Sequence, residues 1–194
     1  RFTPILPCRK CTEKWQWVWK VCLYTPEADP SAQNIRIYPK KIGGFSVGNE
    51  RHRELGLTDD QVLQMYRTML LARKIDERMW LLNRAGKIPF VISCQGQEAI
   101  QVGAAFALDR EKDWLCPYYR DLGMMLVFGQ TARDQMLSAF AKAEDPNSGG
   151  RQMPGHYGDA RFRIVSGSSP VTTQLLHAVG VALAGKMEKK DFVT

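Results

Sequence analysis

Two short stretches of the sequence concentrate side chains that could bind a charged ligand. Residues 167–174 read GSSPVTTQ, with four hydroxyl groups ahead of a helix-like segment, and residues 118–121 read YYRD. Hydroxyl and backbone N–H groups at a helix N-terminus bind anions or hard cations. The Arg120 guanidinium can bind a phosphate through two parallel hydrogen bonds. A plain Ser/Thr helix cap beside an ordinary surface arginine is the alternative, and residue types alone leave both interpretations open.

The spacing of the cysteines gives little support for a metal site. Cys8 and Cys11 have the CxxC spacing of half a zinc site, but only Cys22 is near them and the closest histidine, His52, lies outside the usual ligand spacing. The cysteines are odd in number and irregularly spaced, which argues against a disulfide framework and for a reducing compartment. They are Cys8, Cys11, Cys22, Cys94 and Cys116.

A long helix is predicted to begin at Thr58, ahead of the candidate ligand-binding segments. Thr58 and Gln61 have the spacing of a capping box, and Asp59 and Asp60 suit the first turn of a helix. Gly86 is expected to end it. Apolar residues recur at helical spacing and predict a face packed in the core. They are Val62, Met65, Tyr66, Met69, Ala72, Ile75, Met79 and Leu82.

Further helices and short strands are predicted along the rest of the chain. Helices are expected over residues 96–108, from Thr131, and over 172–190; the first and last carry small residues that suit close approach of another backbone. The apolar pieces WLCPYY and RFRIVSG, and the final DFVT, are typical of strands. This order predicts an α/β layered fold, and DFVT predicts a strand cut off midway, hence a fragment.

Composition is that of an ordinary globular protein. The chain has 194 residues, 44% apolar and 24% charged, and the longest apolar run, around residues 69–72, is far shorter than a membrane span. The N-terminus lacks the apolar region and cleavage site of a signal peptide. These features predict an intracellular protein with no membrane partner.

The net charge of +7 is concentrated in the N-terminal quarter. Residues 1–57 hold 10 Lys and Arg against 5 Asp and Glu, whereas residues 58–194 hold 17 against 15. The high isoelectric point therefore says little about the partner of the main domain. A basic arm that binds nucleic acid stays a minor alternative, and it would show steeply salt-dependent binding.

Residues 1–56 are predicted to be a poorly ordered arm. They are rich in proline and lack a helical period; only the alternation of Trp15, Trp17 and Trp19 resembles a strand. A membrane-surface or nucleic-acid arm is the alternative that uses these tryptophans. A further hypothesis is that residues 1–46 are not native, since codons for Gly43-Gly44 and Val47 could be a bacterial ribosome-binding site and an alternative start.

From about residue 57 to 194 the sequence resembles a known family: the alpha subunit of the decarboxylating component of the 2-oxoacid dehydrogenase complexes, which use thiamine diphosphate. The matching stretches are MYRTMLLARKIDERMWLLNRAGKIPF, GQEAIQVGAAFAL, YYRDLG, DPNSGGRQMPGHYG and GSSPVTTQ. The resemblance implies an α/β thiamine diphosphate-binding fold with a parallel sheet flanked by helices, of which residues 57–194 form the N-terminal part.

The branched-chain, 2-oxoisovalerate-type subfamily is favoured by two differences. Relatives that act on pyruvate or acetoin carry a histidine where Ile92 stands and a GKGGSMH-like string where this chain has GRQMPGH. An apolar pocket near Ile92 suits a bulkier aliphatic substrate, although each added methylene changes selectivity by only about 1–3 kcal/mol. The pyruvate or acetoin type is the less favoured alternative.

Site residues are implied by the resemblance, position by position. Tyr119 and Arg120 match residues at the diphosphate end of the cofactor, and Ser169 with the backbone of Val171 match further cofactor contacts. A structural potassium site is implied for four residues, with Ser168 and Pro170 using carbonyl oxygens. These four are Ser168, Pro170, Thr173 and Gln174. The resemblance implies no role for His156 or His177, which are interpreted as structural histidines.

The resemblance also implies chemistry and partners. Oxidative decarboxylation of a small 2-oxo acid would be followed by acyl transfer to a lipoyl-bearing acyltransferase component, in the bacterial cytoplasm. The active site would lie between alpha and beta subunits of an α2β2 assembly, and the activating glutamate would come from beta, so no catalytic residue is expected here. The family's Mg²⁺-binding signature is missing. We therefore expect a fragment inactive by itself; a non-catalytic remnant or oligomerisation module is the competing interpretation.

Overall fold

The computed structural model describes residues 51–194, and every predicted feature of the arm before residue 51 lies outside them. Six α-helices and one short 3-10 helix make up the regular structure of the described residues. The α-helices are α1 (Arg51–Glu54), α2 (Asp59–Arg84), α3 (Glu98–Phe106), α4 (Leu122–Phe128), α5 (Ala132–Ala139) and α6 (Thr173–Met187); the 3-10 helix is Ala160–Phe162. None of the helices within residues 51–194 combines the length and apolarity needed to cross a membrane.

Helix α2 begins at the predicted capping box. The Thr58 hydroxyl accepts a hydrogen bond from the Gln61 backbone N–H at 3.2 Å, and the Gln61 side chain accepts one from the Thr58 N–H at 2.9 Å. These bonds satisfy two of the N–H groups that every helix start leaves unpaired. The helix ends at Arg84, just before Gly86, whose φ of +66° is the left-handed conformation expected there. The predicted start and end are confirmed.

The apolar face of α2 packs on α3, α4 and α5. Of the residues predicted to lie in the core, Met65, Ala72, Ile75 and Met79 are buried. Tyr66 is 58% exposed, so its assignment to the core is wrong. The apolar residues of α2 keep their helical spacing beyond the part of the helix that α3, α4 and α5 pack against. Periodicity alone does not show where this packing ends.

A second cluster of buried side chains lies under the loops that follow α3. It joins the helix pair α3 and α4 to the segments around residues 115, 157 and 164. Its buried members are Ala105, Leu115, Met125, Phe128, Tyr157 and Ile164. This cluster fixes the segments that carry YYRD and the hydroxyl-rich loop relative to the helices.

The parallel sheet predicted from the sequence is not seen in the described residues. Within residues 51–194 no strand forms; Leu115 and Ile164 make only an isolated parallel bridge, with Leu115 donating to the Arg163 carbonyl at 3.1 Å. Pro117 has no N–H with which to extend the pairing, and Arg163 has a left-handed φ of 55°. DFVT forms no strand either, although the Trp114 N–H donates to the Val193 carbonyl at 2.9 Å.

Helix α6 lies on the surface of the described residues. Gly185 is the helix's one buried residue, and the Phe192 ring covers it so closely that an added Cβ would lie 2.4 Å from the ring. A Cβ at Gly180 would meet nothing within 4 Å, so no described backbone approaches the helix there. Large apolar side chains are exposed along the helix: Leu175, Leu176, Val179, Leu183 and Met187.

Candidate functional site

A cavity of about 430 Å³ gathers residues from distant parts of the chain. Tyr119 and Arg120, which precede α4, line it together with Ser169 from the loop before α6. This volume lies within the range of about 300–1,000 Å³ that is usual for small-molecule sites. The remaining wall is contributed by Trp80, Phe90, Val91, Ile92, Ser93, Met153 and His156.

The Arg120 side chain is held against the rim of the cavity. Its Nη1 donates to the Ser93 carbonyl oxygen at 2.6 Å, and its guanidinium carbon lies 5.4 Å from the centre of the Tyr119 ring. The Tyr118 and Tyr119 ring centroids are 3.9 Å apart. One guanidinium nitrogen thus fixes the group in place. The other N–H groups of the guanidinium can still bind a ligand.

The segment that anchors Arg120 is itself held by a buried carboxylate of α2. Asp76 is 1% exposed and accepts hydrogen bonds from the Cys94 N–H at 2.6 Å and from the Ser93 hydroxyl at 3.0 Å. The Gln95 side-chain amide also donates to it at 3.3 Å. Burial, with the nearby Asp76 charge, raises the pKa of the Cys94 thiol far above its usual value. Cys94 is therefore an inert core residue.

Backbone contacts place YYRD at the start of α4. The Gln101 side chain of α3 donates to the Arg120 carbonyl at 2.7 Å and accepts from the Gly123 N–H at 2.9 Å. A Cβ on Gly123 would lie 2.8 Å from the Gln101 amide oxygen, so glycine permits this close approach. Asp121 accepts from the Tyr118 N–H at 2.8 Å, and burial raises the pKa of its carboxyl group.

His156 and Ser169 are in contact at the cavity wall. His156 Nε2 lies 2.5 Å from Ser169 Oγ, and Nδ1 lies 3.0 Å from the Met153 carbonyl oxygen. The neighbouring Gly155 has a φ of +87°, and a Cβ there would lie 2.9 Å from the Tyr119 carbonyl oxygen. Glycine at this position brings the GRQMPGH segment against YYRD.

The loop before α6 contains one orphaned polar atom. The Ser168 hydroxyl oxygen is buried and has no hydrogen-bond partner among the described residues. Thr172, the residue before α6, has a left-handed φ of 73° and makes no side-chain cap. Buried polar atoms are nearly always satisfied, so the hydroxyl of Ser168 fits a site for a ligand such as a hard cation.

The predicted site residues are thus brought together in part. Tyr119, Arg120 and Ser169 line one cavity. Val171 is not among the lining residues and is 61% exposed; the contact predicted for its backbone stays a prediction. The potassium site predicted at Ser168, Pro170, Thr173 and Gln174 stays a prediction, because the orphaned atom of Ser168 is its hydroxyl and the prediction used its carbonyl.

Metal-binding side chains are not clustered in the described residues. Residues 51–194 contain no group of three or more His, Cys, Asp or Glu side chains placed to hold a metal ion.

Sequence reasoning missed Asp76, Ser93 and the role of His156. Asp76 could have been found, because it is a carboxylate next to Ile75 within the apolar periodicity of α2. No local signal marks Ser93, since its contribution is a backbone carbonyl.

The chain belongs to the family described as "Dehydrogenase E1 component", which residues 66–194 match. It is 74% identical over 151 residues to the 2-oxoisovalerate dehydrogenase subunit alpha of Bacillus subtilis (strain 168), an alignment that covers 76% of this chain and 46% of the relative.

More distant relatives carry related names. Identity is 39% over 134 residues to the mitochondrial 2-oxoisovalerate dehydrogenase subunit alpha of Caenorhabditis elegans, covering 69% of this chain and 31% of that protein. It is 34% over 157 residues to the 3-methyl-2-oxobutanoate dehydrogenase subunit alpha of Mycobacterium tuberculosis (strain CDC 1551 / Oshkosh), covering 75% and 36%. The chain therefore spans less than half the length of each of these relatives.

Proposed function

We propose that this chain is the cofactor-binding N-terminal part of a bacterial alpha subunit that acts in the oxidative decarboxylation of branched-chain 2-oxo acids. One observation carries the proposal: Tyr119, Arg120 and Ser169, far apart in sequence, line a single cavity of suitable size. The high identity to the Bacillus subtilis relative supports the branched-chain type. Ile92 in the cavity wall adds the apolar surface that an aliphatic substrate requires.

Thiamine diphosphate is the proposed cofactor, in keeping with family membership. When bound, it supplies an electron sink for the pair left behind when carbon dioxide departs. Arg120 would hold the diphosphate through the guanidinium N–H groups that Ser93 does not use. Ser169 would add a polar contact from the facing loop, and Trp80 and Phe90 would exclude water from the apolar wall.

Cations are proposed on different grounds. A potassium ion at Ser168, Pro170, Thr173 and Gln174 is proposed from the resemblance, and the buried Ser168 hydroxyl, without a partner among the described residues, shows that this loop contains a polar atom that a ligand could satisfy. Magnesium is proposed from the resemblance alone, because the described residues contain no group of three or more His, Cys, Asp or Glu side chains placed to hold a metal ion. We derive no step through magnesium.

A beta subunit and a lipoyl-bearing acyltransferase component are the proposed partners, in an α2β2 assembly in the bacterial cytoplasm. The large apolar side chains exposed along α6 support further packing on this face, because contiguous exposed apolar surface is typical of interfaces. Nothing in this assignment requires a nucleic-acid or membrane partner.

The cofactor proposal is tested by charge removal at the cavity. Arg120→Met should weaken thiamine diphosphate binding about tenfold or more, because a hydrogen bond to a charged group contributes about 1.5–3 kcal/mol. Arg133→Met is the matched control: it removes the same charge at an exposed position of α5 that does not line the cavity. Ligand-observed NMR with added Mg²⁺ and K⁺ suits the weak affinity expected without magnesium ligands. Equal weakening by both variants, or no binding by the unsubstituted chain, would contradict the proposal.

A further inference from the structure

His156 is a buried histidine whose two ring nitrogens both have partners at the cavity wall. It is 7% exposed, with Nδ1 3.0 Å from the Met153 carbonyl oxygen and Nε2 2.5 Å from Ser169 Oγ. The cavity lining includes all three residues. The contact joins the GRQMPGH segment to the hydroxyl-rich loop.

The partners determine where the protons lie. A carbonyl oxygen only accepts, so the Nδ1 beside Met153 must carry a hydrogen. In the neutral ring Nε2 is then an acceptor, and the short contact requires the Ser169 hydroxyl to donate to it. The Ser169 hydrogen therefore points at His156 Nε2, which leaves the Ser169 oxygen only lone pairs for a ligand.

We propose that His156 is a positioning residue that fixes the Ser169 hydroxyl as a hydrogen-bond acceptor facing the cavity. The inference rests on the proposed function and deepens it. An oxygen that only accepts cannot hydrogen-bond a fully ionised diphosphate, which also only accepts. It recognises an N–H donor, such as the amino group that thiamine diphosphate carries on its pyrimidine ring. Arg120 then serves the anionic end of the ligand and the His156–Ser169 pair serves a donor group.

The proton arrangement is tested first without ligand. In ¹⁵N NMR spectra of the full chain at pH 8, where an ordinary histidine is neutral, His156 should be protonated at Nδ1 and not at Nε2. Ser169→Ala should shift the Nε2 resonance and leave the proton on Nδ1. A proton on Nε2 would overturn the proposal, because the Ser169 hydroxyl would then be free to donate to the cavity.

The consequence for binding is tested with a pair of matched substitutions. His156→Asn can keep the hydrogen bond to the Met153 carbonyl that Nδ1 makes, but it loses the contact with Ser169. His156→Gln instead places an amide oxygen where Nε2 lies, so that it can still accept from the Ser169 hydroxyl. His156→Asn should weaken thiamine diphosphate binding about three- to tenfold, and His156→Gln less. In a Ser169→Ala background, His156→Asn should change affinity less than about twofold. His177→Asn on exposed α6 is the control and should have no effect.

Two results would overturn the positioning role. One is an equal loss from His156→Asn with and without the Ser169 hydroxyl, which is what a merely structural role produces. The other is unchanged affinity in His156→Asn, with thermal unfolding showing that the variant is folded. Absence of binding by the unsubstituted chain would instead contradict the proposed function, and the NMR spectra would still decide whether His156 accepts the Ser169 proton.

Discussion

Asp76 is the carboxylate that holds the cavity rim in place, and replacing it with alanine should destabilise the folded chain. It is 1% exposed and forms no ion pair at salt-bridge distance with the described cations. Its stabilising contribution therefore comes from the hydrogen bonds it accepts from residues 93–95. Those bonds fix the Ser93 carbonyl that receives the Arg120 guanidinium.

The magnitude follows from which donors lose their partner. Asp76→Ala leaves the buried Cys94 N–H unpaired, which costs about 1–3 kcal/mol. Gln95 is exposed and Ser93 half-buried, so water can replace part of their bonds. With these weaker losses and the small cavity added, we expect the free energy of unfolding to fall by about 2–4 kcal/mol.

Urea denaturation measures this difference. With a slope of about 1–3 kcal/mol per molar urea, the midpoint should fall by roughly 1–2 M. Glu77→Ala is the matched control, since it removes the next carboxylate of α2, whose partner is Lys74 in an exposed pair; it should cost less than about 1 kcal/mol. Equal midpoints for the two variants would refute the role given to Asp76, as would unchanged cofactor affinity in a folded Asp76→Ala chain.

Two further predictions concern stability. Thr172→Gly should raise the free energy of unfolding by about 0.5–1 kcal/mol, because Thr172 has a φ of 73° and makes no side-chain cap; thermal unfolding would contradict this if the variant melted at a lower temperature. Burial opposes ionisation of Glu98, but hydrogen bonds from Arg73 at 2.6 Å and the Gly96 N–H hold its pKa below the ordinary value. Its contribution, about 1–2 kcal/mol, is therefore complete above about pH 4.5 and is lost as pH falls through the lowered folded-state pKa. Denaturation at a series of pH values should show wild type and Glu98→Gln converging in acid; a constant difference would contradict this.

Local features of the fold could be predicted from the sequence because their causes are local. The Thr58–Gln61 capping box needs only residues three apart, and so does the start of α5, where the Thr131 hydroxyl accepts from the Asp134 N–H at 3.2 Å. Helix α4 was missed, since its seven residues are apolar nearly throughout and show no period. The predicted sheet failed because strand pairing depends on a distant partner that the strand's own residues do not specify.

The candidate site, too, has features that the sequence determines locally and features that depend on tertiary packing. The sequence by itself determined the residue types, the resemblance that singled out Tyr119, Arg120 and Ser169, and the caps that begin α2 and α5. Only the tertiary structure decided that these three residues line one cavity, that Asp76 supports Arg120 through Ser93, and that His156 contacts Ser169. The physical reason is that a hydrogen bond between segments distant in sequence depends on distances set by the packing of the whole core, and residue order does not encode those distances directly.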